Sequence, residues 1–384
     1  MEKELNVVYI GGSTFPLGYA MTKRWRYMVD YMNMHGIQSH VMVCHYKIEG
    51  TFDNPQKGNY GMADYIDIRH LFAERKILSF YRVGKKQLKE WFNPNKKNIM
   101  IFSTNLSFWL LPFYKYAKKI GYKMVFDQVE TSMKKSGKMR FRRRINILLS
   151  ESVSRYAYKG ASSFVISSAL WWQNHEMHPN MPLCLLPNST VDLKNPAKKT
   201  FNAPIKVLYS GTFASKDGVS YLIDGVIGAH NRGCNVELIL LGKGQPWDMK
   251  VLEKVKDYPW VKYLGFVSDE ELIDNIQQAD VLCMTRTNSI FANYGFPFKL
   301  SEYLATGNIL LASRIGDVER YVKDKESAYL VSPESANDIA NALCYIESHP
   351  IEAKIVAENG YKVMKMHFSI EHVGDIFVKF LNQI

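Results

Sequence analysis

The stretch "YGFPFKLSEYLATG", residues 294–307, sets a cation and a carboxylate three residues apart directly after a Gly-Phe-Pro turn. On a helix starting there, Lys299 and Glu302 share one face. As an exposed ion pair they would stabilise little. At a helix N-terminus the same two groups have another use: the lysine can meet phosphate oxygens, and a carboxylate can accept two hydroxyl hydrogen bonds at once. Two glycine turns point the same way. "GGSTFPLG" (11–18) and "GTFASKDG" (211–218) each follow an apolar run and precede a helical pattern, a setting that turns backbone N–H groups toward anions. Neither is G-x-G-x-x-G and no acidic residue closes the following strand, so a dinucleotide-dependent dehydrogenase is disfavoured.

Metal chemistry finds little support. The ten histidines form no H-E-x-x-H, there is no D-x-D signal, and His175 and His178 lack a third ligand, so no metal site is expected. The five cysteines (Cys44, Cys184, Cys234, Cys283, Cys344) are scattered without a C-x-x-C pair. That usage predicts reduced thiols in a cytoplasmic protein rather than a disulfide framework or zinc.

The elements that must position these residues alternate. Apolar strands are predicted at 5–10, within "SHVMVCHY", at 99–105, 123–130 and 162–168, with helical patterns between them. The alternation pauses over 183–204, a stretch holding three of the chain's prolines, and restarts at "IKVLYSGTFASKDG". With 384 residues, two domains are the default. The expected fold class is α/β, with two Rossmann-like domains facing a central cleft: residues 1–190, residues 191–368, and a C-terminal helix, 369–384, crossing back to the N-terminal domain. In that helix Ile370, Val373, Ile376, Phe377 and Phe380 recur at helical spacing, so it has an apolar face to bury. No run approaches the roughly 20 apolar residues of a membrane span.

Charge is divided unevenly. Residues 1–190 hold 28 Lys and Arg against 13 Asp and Glu, and residues 191–384 hold 21 against 24. The densest run is "KKSGKMRFRRR", 134–144, followed by "INILL". Beyond a merely solvated face, such a surface attracts polyanions or an anionic leaflet. Nucleic acid is disfavoured because the run interleaves one aromatic residue only.

From residue 205 on, the ordered series "LYSGTFASKDGVSYLIDG", "LILLGKG", "VKYLGFVSDEEL", "ADVLCMTR" and "YGFPFKLSEYLATGNILLAS" resembles the family 4 glycosyltransferases of the GT-B fold, which are retaining and nucleotide-sugar dependent. The first half is compatible through "YIGGSTFPLGYAMTKR" and "VFDQVE". The resemblance implies transfer of a hexose from a UDP- or GDP-linked sugar to a saccharide or lipid-linked acceptor of a surface polysaccharide, with no further cofactor. It places Glu302 on the donor ribose, Lys299 with Leu300 and Arg286 around the diphosphate, Gly265, Phe266 and Val267 at the base, and Gly211, Thr212, Lys216 and Gly242 along the phosphate-facing turns. Tyr294 stands where the family has its first glutamate, and Thr212 and Asp217 stand where it has an arginine and a lysine. Asp127 or Glu130 takes the catalytic place in the first domain. Gly12, Ser13, Gly18 and Arg24 line the acceptor side. The alternatives are a non-catalytic GT-B subunit binding a nucleotide sugar or partner, and a GT-B epimerase. The expected location is the cytoplasm, peripheral on the inner membrane face.

Overall fold

The structure, a computed structural model, describes residues 4–44, 54–103, 107–129, 149, 152–153, 155–193, 201, 203–246 and 248–384. Glu130 and the basic run 134–144 lie outside the described residues. The chain divides into two units, Met1–Pro187 with Val373–Ile384, and Asn188–His372.

The first unit runs β1 (Leu5–Gly11), α1 (Ala20–Met34), β2 (Gln38–Val43), β3 (Lys57–Tyr60), β4 (Ala63–Asp67), α2 (Arg69–Ala73), α3 (Ile77–Trp91), β5 (Lys97–Ser103), α4 (Leu111–Ile120), β6 (Lys123–Gln128), β7 (Ser162–Val165), α5 (Ser168–Met177) and β8 (Leu183–Leu185). Its sheet has the order β3-β4-β2-β1-β5-β6-β7-β8, parallel except for the β3–β4 pair. All seven residues of β1 are buried, as a central parallel strand covered on both faces requires.

The second unit runs β9 (Ile205–Ser210), α6 (Val219–Asn231), β10 (Val236–Leu241), β11 (Val261–Gly265), α7 (Asp269–Gln278), β12 (Val281–Met284), α8 (Ile290–Tyr294), α9 (Phe298–Ala305), β13 (Ile309–Ser313), α10 (Val318–Tyr321), β14 (Tyr329–Val331), α11 (Ala336–Ser348) and α12 (Pro350–His367). Its sheet is wholly parallel, in the order β11-β10-β9-β12-β13-β14.

The last helix, α13 (Ile370–Gln383), packs into the first unit. Phe377 is fully buried, its ring 6.3 Å from Tyr9 and 5.1 Å from Phe164. Burying a ring of this size stabilises by about 1.5–3 kcal/mol. Lys97 and Lys123 donate to the carbonyls of Asn382 and Ile384, which holds the end of the chain down.

One expectation is corrected here. Cys234 and Cys344 form a disulfide. They are 110 residues apart in sequence, but α6 and α11 pack side by side and bring their Cα atoms to 5.6 Å. Among the described residues Cys44, Cys184 and Cys283 are free thiols. No helix of the described residues is long and apolar enough to cross a membrane.

Candidate active site

The site of the second unit is assembled by strand order. β9, β10 and β11 are neighbours, so the glycines at their carboxyl ends line up: Gly211 N donates to Leu241 O (3.0 Å) and Gly242 N to Gly265 O (2.6 Å). Gly242 has φ 110°, and a Cβ there would run into the carbonyl oxygen of Gly211. On the other side β9 pairs with β12, which sets the 211–218 turn beside residues 285–287. Gly218 (φ 66°) approaches so close that a Cβ would strike Thr285 O, and Thr287 N donates to Lys216 O at 3.0 Å. Only glycine fits both places.

The helix expected at Lys299 is α9, with Pro297 as its N-cap. Its buried residue Tyr303 pins it to the end of β9, taking a hydrogen bond from Ser210 N at 3.3 Å with the Ser210 hydroxyl 3.2 Å away. Lys299 thereby comes to the Gly211 turn, and a Cβ on Gly211 would collide with its Nζ. The ammonium donates to Tyr209 OH (3.3 Å) and lies 4.4 Å from the centroid of that ring. Tyr209 OH donates in turn to Thr212 O. Thr212 Oγ1 donates to Asp217 Oδ2 at 2.6 Å.

The electrostatics are unbalanced. Burial lowers the Lys299 pKa; Asp217 and Glu302 oppose that shift, while Arg286 and Lys216 add to it. Burial also lowers Arg286, again against Asp217. Burial raises Tyr209 well above its usual value, with Asp217 adding to the effect. A cluster of cations held together at this cost favours an anion placed among them. Glu302 is half-buried one helical turn from Lys299, and Tyr294 is half-buried at the end of α8. Phe266 is 66% exposed beyond β11, with Lys243 Nζ 4.9 Å from its ring centroid, and Val267 beside it is half-buried. Next to this cluster a concavity of about 730 Å³ opens around Lys216, Ser220, Lys250, Lys254, Thr287 and Phe291.

Three expected site residues fall elsewhere. Leu300 is fully buried, so its side chain meets the protein interior. Arg24 and Asp127, assigned to acceptor and catalysis, take each other. The Arg24 guanidinium reaches both oxygens of Asp127 at 2.8–3.2 Å and donates to the carbonyls of Pro187 (3.0 Å) and Leu186 (3.1 Å). Each residue is 3% exposed. Burial disfavours the charge on Arg24, but Asp127 outweighs that and its pKa is raised. An apolar strand, "KMVFDQ", with an acid inside it requires a buried cation, and that was the signal to read. Gly12, Ser13 and Gly18 are half-buried in the turn between β1 and α1. A Cβ on Gly18 would collide with the hydroxyls of Thr14 and Thr22, so this glycine serves the turn's own packing. Among the described residues no three His, Cys, Asp or Glu side chains come together to hold a metal ion.

Residues 204–349 match the family model described as Glycosyl transferases group 1. This segment contains the whole Tyr209–Glu302 cluster. Among curated proteins, the phosphatidyl-myo-inositol mannosyltransferase of Mycolicibacterium smegmatis is 25% identical over 167 residues. The match spans 43% of this chain and 42% of that protein. In three dimensions, sucrose-phosphate synthase from Thermosynechococcus elongatus superposes with a TM-score of 0.73 at 16% identity, covering 99% of both chains. HepE of Anabaena in complex with UDP and glucose gives 0.70 at 14%, over 99% of this chain and 100% of that one. Trehalose-6-phosphate from E. coli bound with UDP-2-fluoro glucose gives 0.65 at 12%, over 99% of both. The fold is therefore GT-B.

Proposed function

We propose that the chain is a retaining glycosyltransferase that moves a hexose from a UDP- or GDP-linked donor to a saccharide or lipid-linked acceptor in surface polysaccharide synthesis. The reading rests above all on Lys299, brought by α9 against the Gly211 turn with Glu302 one turn behind it. Glu302 accepts the ribose hydroxyls. Lys299, Arg286 and Lys216 face the diphosphate together with the N–H groups of the glycine turns. Gly265, Phe266 and Val267 border the base. In the transfer the bond from the anomeric carbon to the phosphate oxygen breaks, and a bond to the acceptor oxygen forms on the same face. The acceptor's proton passes to the departing phosphate, so the chain needs no dedicated base. Glu130 would aid the forming oxocarbenium ion electrostatically. No resident cofactor or metal is invoked. The basic balance of the first half supports a reaction at the inner face of an anionic membrane, with the protein otherwise cytoplasmic.

The test is a thermal-shift panel of UDP, GDP, ADP and their sugars, because a ligand that binds only the folded state raises the melting temperature. The responding donor is then offered to acceptors, and product NMR reads the anomeric configuration. Inversion, or no response to any nucleotide, removes this reading. A second reading is favoured by Asp217 and Tyr294, which stand where the family resemblance expects a lysine and a glutamate: a GT-B subunit that binds the nucleotide sugar without turning it over. Tight binding with no transfer to any acceptor would select it.

A further inference from the structure

The first unit carries a second cationic stretch apart from the 134–144 run. Residues 69–123 hold 13 Lys and Arg and 2 Asp and Glu. Much of this stretch builds α3 and α4, which adjoin through their rings: Phe113 of α4 meets Phe80 at 5.2 Å and Tyr81 at 5.4 Å. Tyr81 OH also donates to Trp109 O (3.0 Å) in the 3-10 turn Phe108–Leu110 that leads into α4. The outward side mixes cations with large apolar groups. Leu78 is 87% exposed, Phe108 50% and Trp109 41%. Leu78, Arg82, Lys85 and Lys89 recur at helical spacing and so share a side of α3. Lys85 lies 5.8 Å from the Tyr116 ring centroid, and Lys115 5.7 Å from that of Tyr156.

An acidic saccharide would use the lysines and leave Leu78 and Phe108 in water. A bilayer surface uses both kinds of side chain, with anionic headgroups for the cations and the headgroup–acyl boundary for leucine, phenylalanine and tryptophan. We propose that α3, the Phe108–Leu110 turn and α4 form the face by which the first unit docks on an anionic lipid surface. The inference deepens the membrane side of the function proposed above and rests on it, and it assigns the contact to two packed helices rather than to the 134–144 run.

The test is co-sedimentation of the full chain with phosphatidylcholine vesicles, with and without phosphatidylglycerol, at low and high salt. The wild type is expected to bind only the anionic vesicles, to come off at high salt, and to show a blue shift of tryptophan emission when bound. One variant carries Lys86→Glu, Lys89→Glu and Lys119→Glu, all exposed. A second carries Leu78→Ser and Phe108→Ser. Each lost cation should lower the partition about fivefold, and the apolar pair should lower it at unchanged salt dependence. Circular dichroism and melting curves show that both variants are folded. Equal binding to neutral vesicles, wild-type binding by either folded variant, or binding to heparin but not to vesicles overturns the proposal. The donor reading is scored separately, by the nucleotide-sugar thermal shift without vesicles, so either can fail while the other stands.

Discussion

Two charged clusters, one in each unit, show opposite uses of the same side chains. In the first unit Arg24 spends its guanidinium on both oxygens of Asp127 and on two backbone carbonyls, and both residues are shut from water. In the second unit Lys299, Arg286 and Lys216 crowd around the single buried carboxylate of Asp217, and burial lowers both Lys299 and Arg286. A pair that satisfies itself holds a fold together. A group of cations held short of counter-charge is set up for an anion that arrives from outside.

The sharpest way to break this contrast is to truncate both clusters. Arg24→Ala strands a buried carboxylate and should cost about 3–5 kcal/mol of stability, read by urea denaturation. Lys299→Ala should leave stability within about 1 kcal/mol, because it relieves a desolvated charge. Comparable losses from the two changes would erase the distinction.

A pH titration extends the test to a third buried group. His40 stacks on Trp91 (4.7 Å), with Asp64 Oδ2 3.3 Å from its Nδ1. Burial lowers its pKa to about 4, only partly opposed by Asp64. The folded state thus binds its proton less readily than the unfolded chain, where the pKa is near 6.5. The resulting stability is complete above the unfolded value and is lost as pH falls from about 6.5 toward 4, by up to about 3 kcal/mol. His40→Gln should flatten the denaturation midpoint across that window. An unchanged slope would mean that the histidine does not carry it.

Next in size comes the donor contact. Glu302→Ala should weaken nucleotide-sugar binding by about 1.5–3 kcal/mol, the worth of hydrogen bonds to a charged group. Lys299→Ala should weaken UDP or GDP more than the free nucleoside. Calorimetry finding both variants equal to wild type would reduce the two residues to a surface pair. The smallest expected effect sharpens the contrast instead: Asp217→Asn removes the acid that acts on both Lys299 and Arg286 and should tighten diphosphate binding by about 1 kcal/mol. Weaker binding would show that Asp217 holds the cations in place rather than competing with the ligand.

Much of this was legible because parallel strands buried on both faces read as apolar runs; β1, β5, β9 and β12 announce themselves that way. The edge strand β3 and its neighbour β4 do not, since "KGNY" and "ADYID" are short and broken by polar residues. Lys299 and Glu302 were readable from local spacing after a proline turn. Leu300, between them, is turned inward by the same periodicity that turns its neighbours outward. The Arg24–Asp127 pair joins residues 103 apart, and the disulfide joins residues 110 apart. Such partners are chosen by strand order and helix packing, which no short window of sequence contains.

The return of α13 to the first unit has a consequence for synthesis on the ribosome. Val373, Phe377 and Leu381 fill the interior beside Tyr9 and Phe164, yet they are translated after the whole of Asn188–His372. At about 5–20 residues per second, the first unit waits roughly 10–40 s between completing β8 and receiving its last helix. Through that interval an apolar trough stays open on a nascent domain while the second unit, continuous in the chain, is free to fold first.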